Sequence, residues 1–97
     1  MIVFHANQDV FRDTSFYREH STICDKVDII NFYKNGSYKN AGTVVTDSLD
    51  VAYEFSQNFM ESWGDGNQRR TSVGDIIQDG DDFYVVASIG FDHLGAL

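Results

Sequence analysis

The side chains that could perform chemistry are few and scattered along this chain. His5, His20 and His93 lie far apart in the sequence, and the single Cys24 can form no disulfide within the chain. General acid–base catalysis needs two groups within hydrogen-bond reach, and a zinc site needs closely spaced His or Cys ligands. The spacing favours neither, so we expect Cys24 to be a small buried or half-buried thiol, and we expect no catalytic residue, no metal site and no cofactor.

A dense acidic cluster is the next candidate site. Asp79, Asp81 and Asp82 surround a glycine in the stretch 78–82. A calcium loop of the EF-hand kind needs a longer ladder of oxygen ligands that ends in a bidentate Glu. The sequence has no such ladder here, so the cluster is typical of a solvated turn.

The negative charge is distributed unevenly. The net charge is −8; residues 1–46 contain five acids and five bases, whereas residues 47–97 contain ten acids and two arginines. A negative field repels phosphate backbones and attracts basic surfaces. The charge therefore disfavours direct nucleic-acid binding and favours a protein partner with a basic surface. Acidity that only keeps the protein soluble is the alternative.

The two arginines of the acidic half are adjacent, at Arg69 and Arg70. They could bind a phosphate or an acidic patch of the domain itself. An alternative function follows from the first option, namely a nucleic-acid accessory module that uses Arg69, Arg70, Lys34, Lys39 and exposed aromatic rings. That function requires a basic face separate from the acids.

Length and hydropathy limit the class of protein. The 97 residues fit a single domain, 1–97, because that length supports one apolar core. No run of about 18 apolar residues could span a bilayer, and the first residues do not resemble a secretion signal. We expect a cytosolic protein without a membrane partner.

The clearest element is an amphipathic helix over about 48–63. Asp47 is a suitable N-cap, Asp50 falls in the first turn where the helix dipole favours an acid, and Gly64 is a suitable stop. The apolar side chains recur at three- and four-residue steps and form one stripe that we expect to pack on a sheet: Leu49, Ala52, Tyr53, Ser56, Phe59, Met60 and Trp63.

A β-hairpin over about 76–87 follows. Two runs of β-favouring residues flank Asp79 and Gly80, and an Asp-Gly pair is a frequent hairpin turn. Ile89 and Phe91 are expected to pack the tail onto the core, with a bend at Gly90.

The first half is harder to interpret. Residues 2–5 favour a strand, residues 10–24 a short helix or an irregular segment, and residues 42–46 a strand. Residues 26–33 could be a strand followed by a tight Asn-Gly turn, or a helix ended by glycine. The fold class is therefore α+β, with a small antiparallel sheet, one main helix (about 48–63) and the C-terminal hairpin (about 76–87).

A family resemblance extends over most of the chain and is most specific towards the C-terminus. Its pattern consists of Ser72-Val73-Gly74-Asp75-Ile76-Ile77, the acidic turn, Tyr84-Val85-Val86 and Gly90-Phe91. This pattern resembles small uncharacterised proteins of phages, plasmids and other mobile elements, over roughly residues 33–94. Gln57-Asn58 stands where the family often has Thr-Asn. The resemblance implies a mobile-element setting and supplies no catalytic motif. We expect these residues to have mainly structural roles: Gly74-Asp75 turns the chain into the hairpin, and Trp63 caps the main helix.

Charge and resemblance together suggest a function. We expect a non-catalytic protein that binds a host protein and inhibits a defence complex that handles nucleic acid, of the anti-CRISPR or anti-restriction type, with acids that mimic DNA. A polar glycine loop over 64–68 and the hairpin turn are expected to be exposed and to bring acids to one end of the domain. The residues expected to contact the partner are Glu61, Asp65, Asp75, Asp79, Asp81 and Asp82.

Overall fold

Five antiparallel strands form one sheet within residues 1–17, 24–57 and 69–97, which are the residues that the computed structural model describes. Three helices accompany them in these ranges. The elements in chain order are β1 (Ile2–Ala6), α1 (Gln8–Thr14), α2 (Lys26–Lys34), β2 (Tyr38–Thr43), α3 (Leu49–Gln57), β3 (Ile76–Asp79), β4 (Asp82–Val86) and β5 (Phe91–Gly95). The α+β class and the antiparallel sheet are as predicted from the sequence.

The strands are ordered β2-β1-β3-β4-β5. β1 pairs with β2 on one side and with β3 on the other, so Phe4 lies opposite both Asn40 and Ile76. Because β1 and β3 are antiparallel neighbours, the last residue of β1 lies near the first residue of β3. One end of the sheet carries Ala6 and the loop that leads into Ile76, and the opposite end carries the turn between β3 and β4.

Both faces of the sheet are covered because neighbouring strand residues point to opposite sides. Phe4 and Ile76 pack with α1 and α2 in one buried cluster. Val3 and Ile77 pack with Ala52 of α3 in a second cluster on the other face. The sheet therefore lies between α1 and α2 on one face and α3 on the other.

Residues 26–33, which the sequence left open, are helical. Asp25 accepts a hydrogen bond from the backbone N–H of Asp28, and the Asp28 side chain accepts one from the backbone N–H of Asp25. This reciprocal capping box satisfies donors at the helix start that would otherwise be unpaired. Gly36 has φ +88° and ends the helix, in place of a hairpin turn.

α3 confirms the main helix only up to Gln57, because residues 58–63, including Trp63, lie outside the described ranges, as does the predicted stop at Gly64. The prediction that Asp47 caps this helix is wrong. The helix begins at Leu49, and the hydroxyl of Ser48 accepts a 3.4 Å hydrogen bond from the N–H of Val51. A serine hydroxyl reaches the first-turn N–H groups from the position directly before the helix.

The predicted hairpin is confirmed. β3 and β4 pair from Ile76 opposite Val85 to Asp79 opposite Asp82, and Gly80 takes φ +60° in the turn. The expectation for Ile89 is wrong, since its side chain is 94% exposed at the turn between β4 and β5. Only Phe91, the first residue of β5, packs against the cluster that contains α3.

The remaining predictions for the first half hold in outline. The strand over 2–5 is β1. The helix predicted within 10–24 is α1, which begins earlier, at Gln8, and ends at Thr14; residues 18–23 of that segment lie outside the described ranges. The strand expected over 42–46 is β2, which lies earlier, at Tyr38–Thr43. Val45 is 99% exposed and takes no part in the sheet.

Candidate functional site

A buried ion pair joins the loop before β3 to the end of β1. The guanidinium of Arg69 donates from Nη1 to Oδ2 of Asp75 and from Nη2 to Oδ1, both at 2.7 Å. The Asp75 side chain is completely buried, whereas that of Arg69 is 32% exposed. A planar guanidinium binds both oxygens of one carboxylate in a fixed geometry, which makes this the strongest type of ion pair available to the chain.

Backbone donors complete the surroundings of Asp75. Its Oδ1 accepts a 2.9 Å hydrogen bond from the N–H of Ala6, and its Oδ2 accepts a 2.8 Å bond from the N–H of Ser72. A buried carboxylate is tolerated only when such partners replace water. Asp75 is thus the point at which β1, the loop and the hairpin are tied together.

This burial corrects the prediction that Asp75 belongs to an exposed acidic surface. The residue has no accessible side-chain surface, and its charge is balanced by Arg69. The sequence motif Ser72-Val73-Gly74-Asp75 misled the assignment because an acid beside a glycine is more often solvated.

Arg69 is also held by other groups. It donates to the carbonyl oxygens of Ala6 at 3.1 Å and of Arg70 at 3.0 Å, and its guanidinium carbon lies 4.1 Å from the centroid of the Phe11 ring. Of the two roles open for this arginine, the structure places it on an acid of the domain itself. A guanidinium committed in this way contributes little to a phosphate-binding surface.

His5 lies beside the ion pair and links it to α3. Its Nε2 is 2.9 Å from Oγ1 of Thr71, while Gln57 donates to the Thr71 carbonyl at 3.2 Å. Burial lowers the pKa of His5 from 6.5 to about 4, with the positive charge of Arg69 adding to the effect and Asp75 opposing it. His5 is therefore neutral at pH 7 and packs as a polar core residue.

Gly74 is required by close backbone contact. Its φ is +92°, and a Cβ built on it would lie 2.1 Å from the carbonyl oxygen of Thr14. The hydroxyl of Tyr38 donates to the Gly74 carbonyl, and burial raises the pKa of that hydroxyl well above its usual range. The predicted turn at Gly74 is confirmed, and the contact explains why no larger residue fits.

The other predicted acids of the hairpin lie at the opposite end of the sheet. Asp79, Asp81 and Asp82 are all exposed, and we call these three residues the acidic hairpin surface. Asp82 is 2.9 Å from Nε2 of His93, and both side chains are more than half exposed. The remaining two predicted residues, Glu61 and Asp65, lie outside the described ranges.

Among the residues of the alternative function, Lys39 and Arg69 line one pocket beside His5. Lys34, Lys39 and Arg70 are exposed, whereas Arg69 is engaged with Asp75. In the described part of the chain, no group of three or more His, Cys, Asp or Glu side chains is arranged to hold a metal ion. No helix in the same ranges is long and apolar enough to cross a membrane.

Sequence reasoning missed the Arg69–Asp75 pair, Thr71 and the Tyr38 hydroxyl. The available signal was that Arg69 and Arg70, the two basic residues of the acidic half, lie only a few positions before Gly74-Asp75. Comparison with known proteins adds nothing to this site, because no protein-family model, no curated protein and no solved structure matches the chain.

Proposed function

We propose that this chain is a non-catalytic mobile-element protein that binds a host protein through the acidic hairpin surface. The proposed target is a defence complex that handles nucleic acid, of the CRISPR or restriction type, in the host cytosol. The acids would occupy a basic cleft that normally receives a phosphate backbone. The mobile-element setting comes from the sequence resemblance, and the surface comes from the fold.

One observation carries the proposal: three exposed carboxylates share one turn, and two of them face each other. Asp79 and Asp82 are directly opposite in the β3–β4 register, with Asp81 between them in the turn. Like charges in opposed positions destabilise a hairpin by roughly 0.2–1 kcal/mol. Locally unfavourable pairs are expected mainly at functional sites. The opposed carboxylates of Asp79 and Asp82 therefore favour a partner that brings positive charge to this turn.

The protein class of the partner follows from charge. The acidic hairpin surface repels nucleic acid. Arg69 and Lys39 line a pocket at the other end of the sheet, but Asp75 already neutralises Arg69, which leaves Lys39 as the one basic lining residue in the described part of the chain without that neutralisation. A basic protein surface is therefore favoured over an oligonucleotide. The non-catalytic assignment is supported by the internal use of His5, Thr71, Arg69 and Asp75, which hold one another in the fold.

Charge-neutralising variants test the proposal. The triple variant Asp79→Asn, Asp81→Asn, Asp82→Asn is compared with a matched control, Asp13→Asn, Asp47→Asn, Glu54→Gln. The control removes the same charge from exposed positions elsewhere. Each tagged protein is used to capture partners from a bacterial host lysate, and the captured protein is then purified for titration.

We expect the hairpin variant to lose the captured protein and the control to retain it. Affinity of the wild type should fall as NaCl rises from about 50 to about 500 mM, and the hairpin variant should show a shallower dependence. Equal capture by the two triple variants would contradict the proposal. A mobility shift of oligonucleotides at low salt, with no protein captured, would favour the nucleic-acid module instead.

A further inference from the structure

A small groove lies between α3 and the turn that joins β4 to β5. Its volume is about 170 Å³, and its walls include Asp50 and Tyr53 of α3, together with Val86, Ala87, Ser88 and Phe91. Pockets for drug-sized ligands span roughly 300–1,000 Å³. The groove therefore has room for one long side chain and not for a cofactor.

The floor of the groove is aromatic. The rings of Tyr53 and Phe91 meet edge to face, with centroids 6.0 Å apart and an interplanar angle of 84°. Gln57 donates a 2.7 Å hydrogen bond to the Tyr53 hydroxyl and holds that ring in position. Fixed rings of this type attract cations through their negative faces.

One wall is acidic, and no basic side chain of the described residues lines the groove. Asp50 is exposed in the first turn of α3, and no ion pair within the described ranges engages its carboxylate. The aromatic floor and the carboxylate together complement a group that is both cationic and able to stack.

Two exposed apolar side chains are next in sequence to residues that line the groove. Ile89, at the turn, is 94% exposed, and Val51, beside Asp50 on α3, is 48% exposed. The turn is held by a 3.0 Å hydrogen bond from the N–H of Ala87 to the carbonyl of Gly90. A partner that covered these two side chains would exclude water from the groove, as contacts around energetically dominant interface residues do.

We propose that this groove receives an arginine side chain of a protein partner. The guanidinium would stack on one of the two perpendicular rings, Tyr53 or Phe91, and pair with Asp50. The residues flanking the arginine would cover Ile89 and Val51. Arginine fits better than lysine because its planar, weakly hydrated group stacks on rings and binds a carboxylate with two N–H groups. The inference rests on the proposed function, since it specifies the chemistry of the basic partner, but it uses a different surface from the acidic hairpin.

Amide-resolved NMR of the isolated chain tests the groove directly. The probe is acetyl-arginine methylamide, and the matched neutral probe is acetyl-citrulline methylamide, which keeps the shape and removes the charge. We expect saturable shifts at millimolar arginine probe in the amides of Asp50, Tyr53 and Ala87–Gly90, with much weaker shifts for citrulline. The variant Asp50→Asn should weaken the arginine probe about threefold to fivefold. The control Asp47→Asn removes an exposed acid that does not line the groove and should leave the affinity unchanged.

Any result other than the one expected overturns the proposed arginine site. Equal shifts from both probes, no shift at the groove, or equal weakening by the two variants would remove the arginine site. Shifts confined to residues 79–82 would overturn the groove and leave the proposed function intact. Loss of the proposed function is read separately, as equal capture by the two triple variants.

Discussion

Removal of Asp75 should be the most damaging change to an acidic residue in the described part of the chain. Asp75→Ala deletes the acceptor for Arg69 and for the N–H groups of Ala6 and Ser72. Removing one member of a buried ion pair costs about 3–5 kcal/mol of unfolding free energy. Arg69 is 32% exposed and can regain some water, so we expect the lower end, about 3 kcal/mol.

Removal of Arg69 leaves the carboxylate of Asp75 in the fold, and water cannot reach that carboxylate. Arg69→Ala strands a completely buried carboxylate with only its backbone donors, and we expect a loss of about 4 kcal/mol. In the double variant neither charge is stranded, so its loss should be about 5 kcal/mol, smaller than the sum of the single losses. The resulting coupling energy of about 2 kcal/mol lies in the range for residues in direct contact.

Urea unfolding at neutral pH measures the three variants. The control is Asp79→Ala, which removes the same side chain from an exposed position opposite Asp82 and should leave stability unchanged or raise it by up to about 1 kcal/mol. A domain of this size has a stability of about 5–15 kcal/mol. If a variant lacks a native baseline, the whole series is measured in a fixed concentration of a stabilising osmolyte.

Two results would refute the reasoning. The first is a loss for Asp75→Ala within about 1 kcal/mol of that for Asp79→Ala. The second is a double variant whose loss equals the sum of the single losses, because additive effects indicate residues that act independently.

Three further predictions concern the same core. Gly74→Ala should cost about 3 kcal/mol or more and Gly80→Ala only about 1, because both have positive φ but only Gly74 meets backbone atoms; equal losses in urea unfolding would contradict the contact. The pKa of His5 is lowered to about 4 in the fold. As the pH falls, the His5 side chain is therefore protonated in the unfolded chain at a higher pH than in the folded chain. Stability should then fall by about 2 kcal/mol between about pH 7 and pH 5, a loss that His5→Gln removes and that the exposed-site control His93→Gln retains. Cys24 is fully buried, and burial, followed by the nearby Asp28 charge, raises its pKa to about 11; a thiol reagent at about pH 8 should label it only after unfolding, and rapid labelling of the folded chain would be inconsistent with this placement.

Two elements could be identified from the sequence because their signals are local. The β3–β4 hairpin is specified by the Asp-Gly turn at Gly80 and the β-favouring residues on either side. The stripe of α3 follows from three- and four-residue spacing. Both are decided by interactions between residues close in the chain, so no knowledge of the rest of the fold was needed. The exposure of Asp79, Asp81 and Asp82 follows from the same turn.

Other features depended on residues distant in the chain. Residues 26–33 have strand and helix signals of similar strength. The helix is selected by the Asp25–Asp28 capping box and by packing of Ile29 in the core. Asp75 could not be separated from the exposed acids by sequence, because its burial depends on Ala6, 69 positions away.

The charge layout shows the same division. The sequence alone establishes that the net negative charge lies in the second half. Only the tertiary structure assigns those acids to different tasks: it buries Asp75 against Arg69 as a tie within the fold and exposes Asp79, Asp81 and Asp82 at the other end of the sheet. The physical reason is that a charge acquires its role from desolvation and from its partners, and both are set by strands that meet only when the sheet forms.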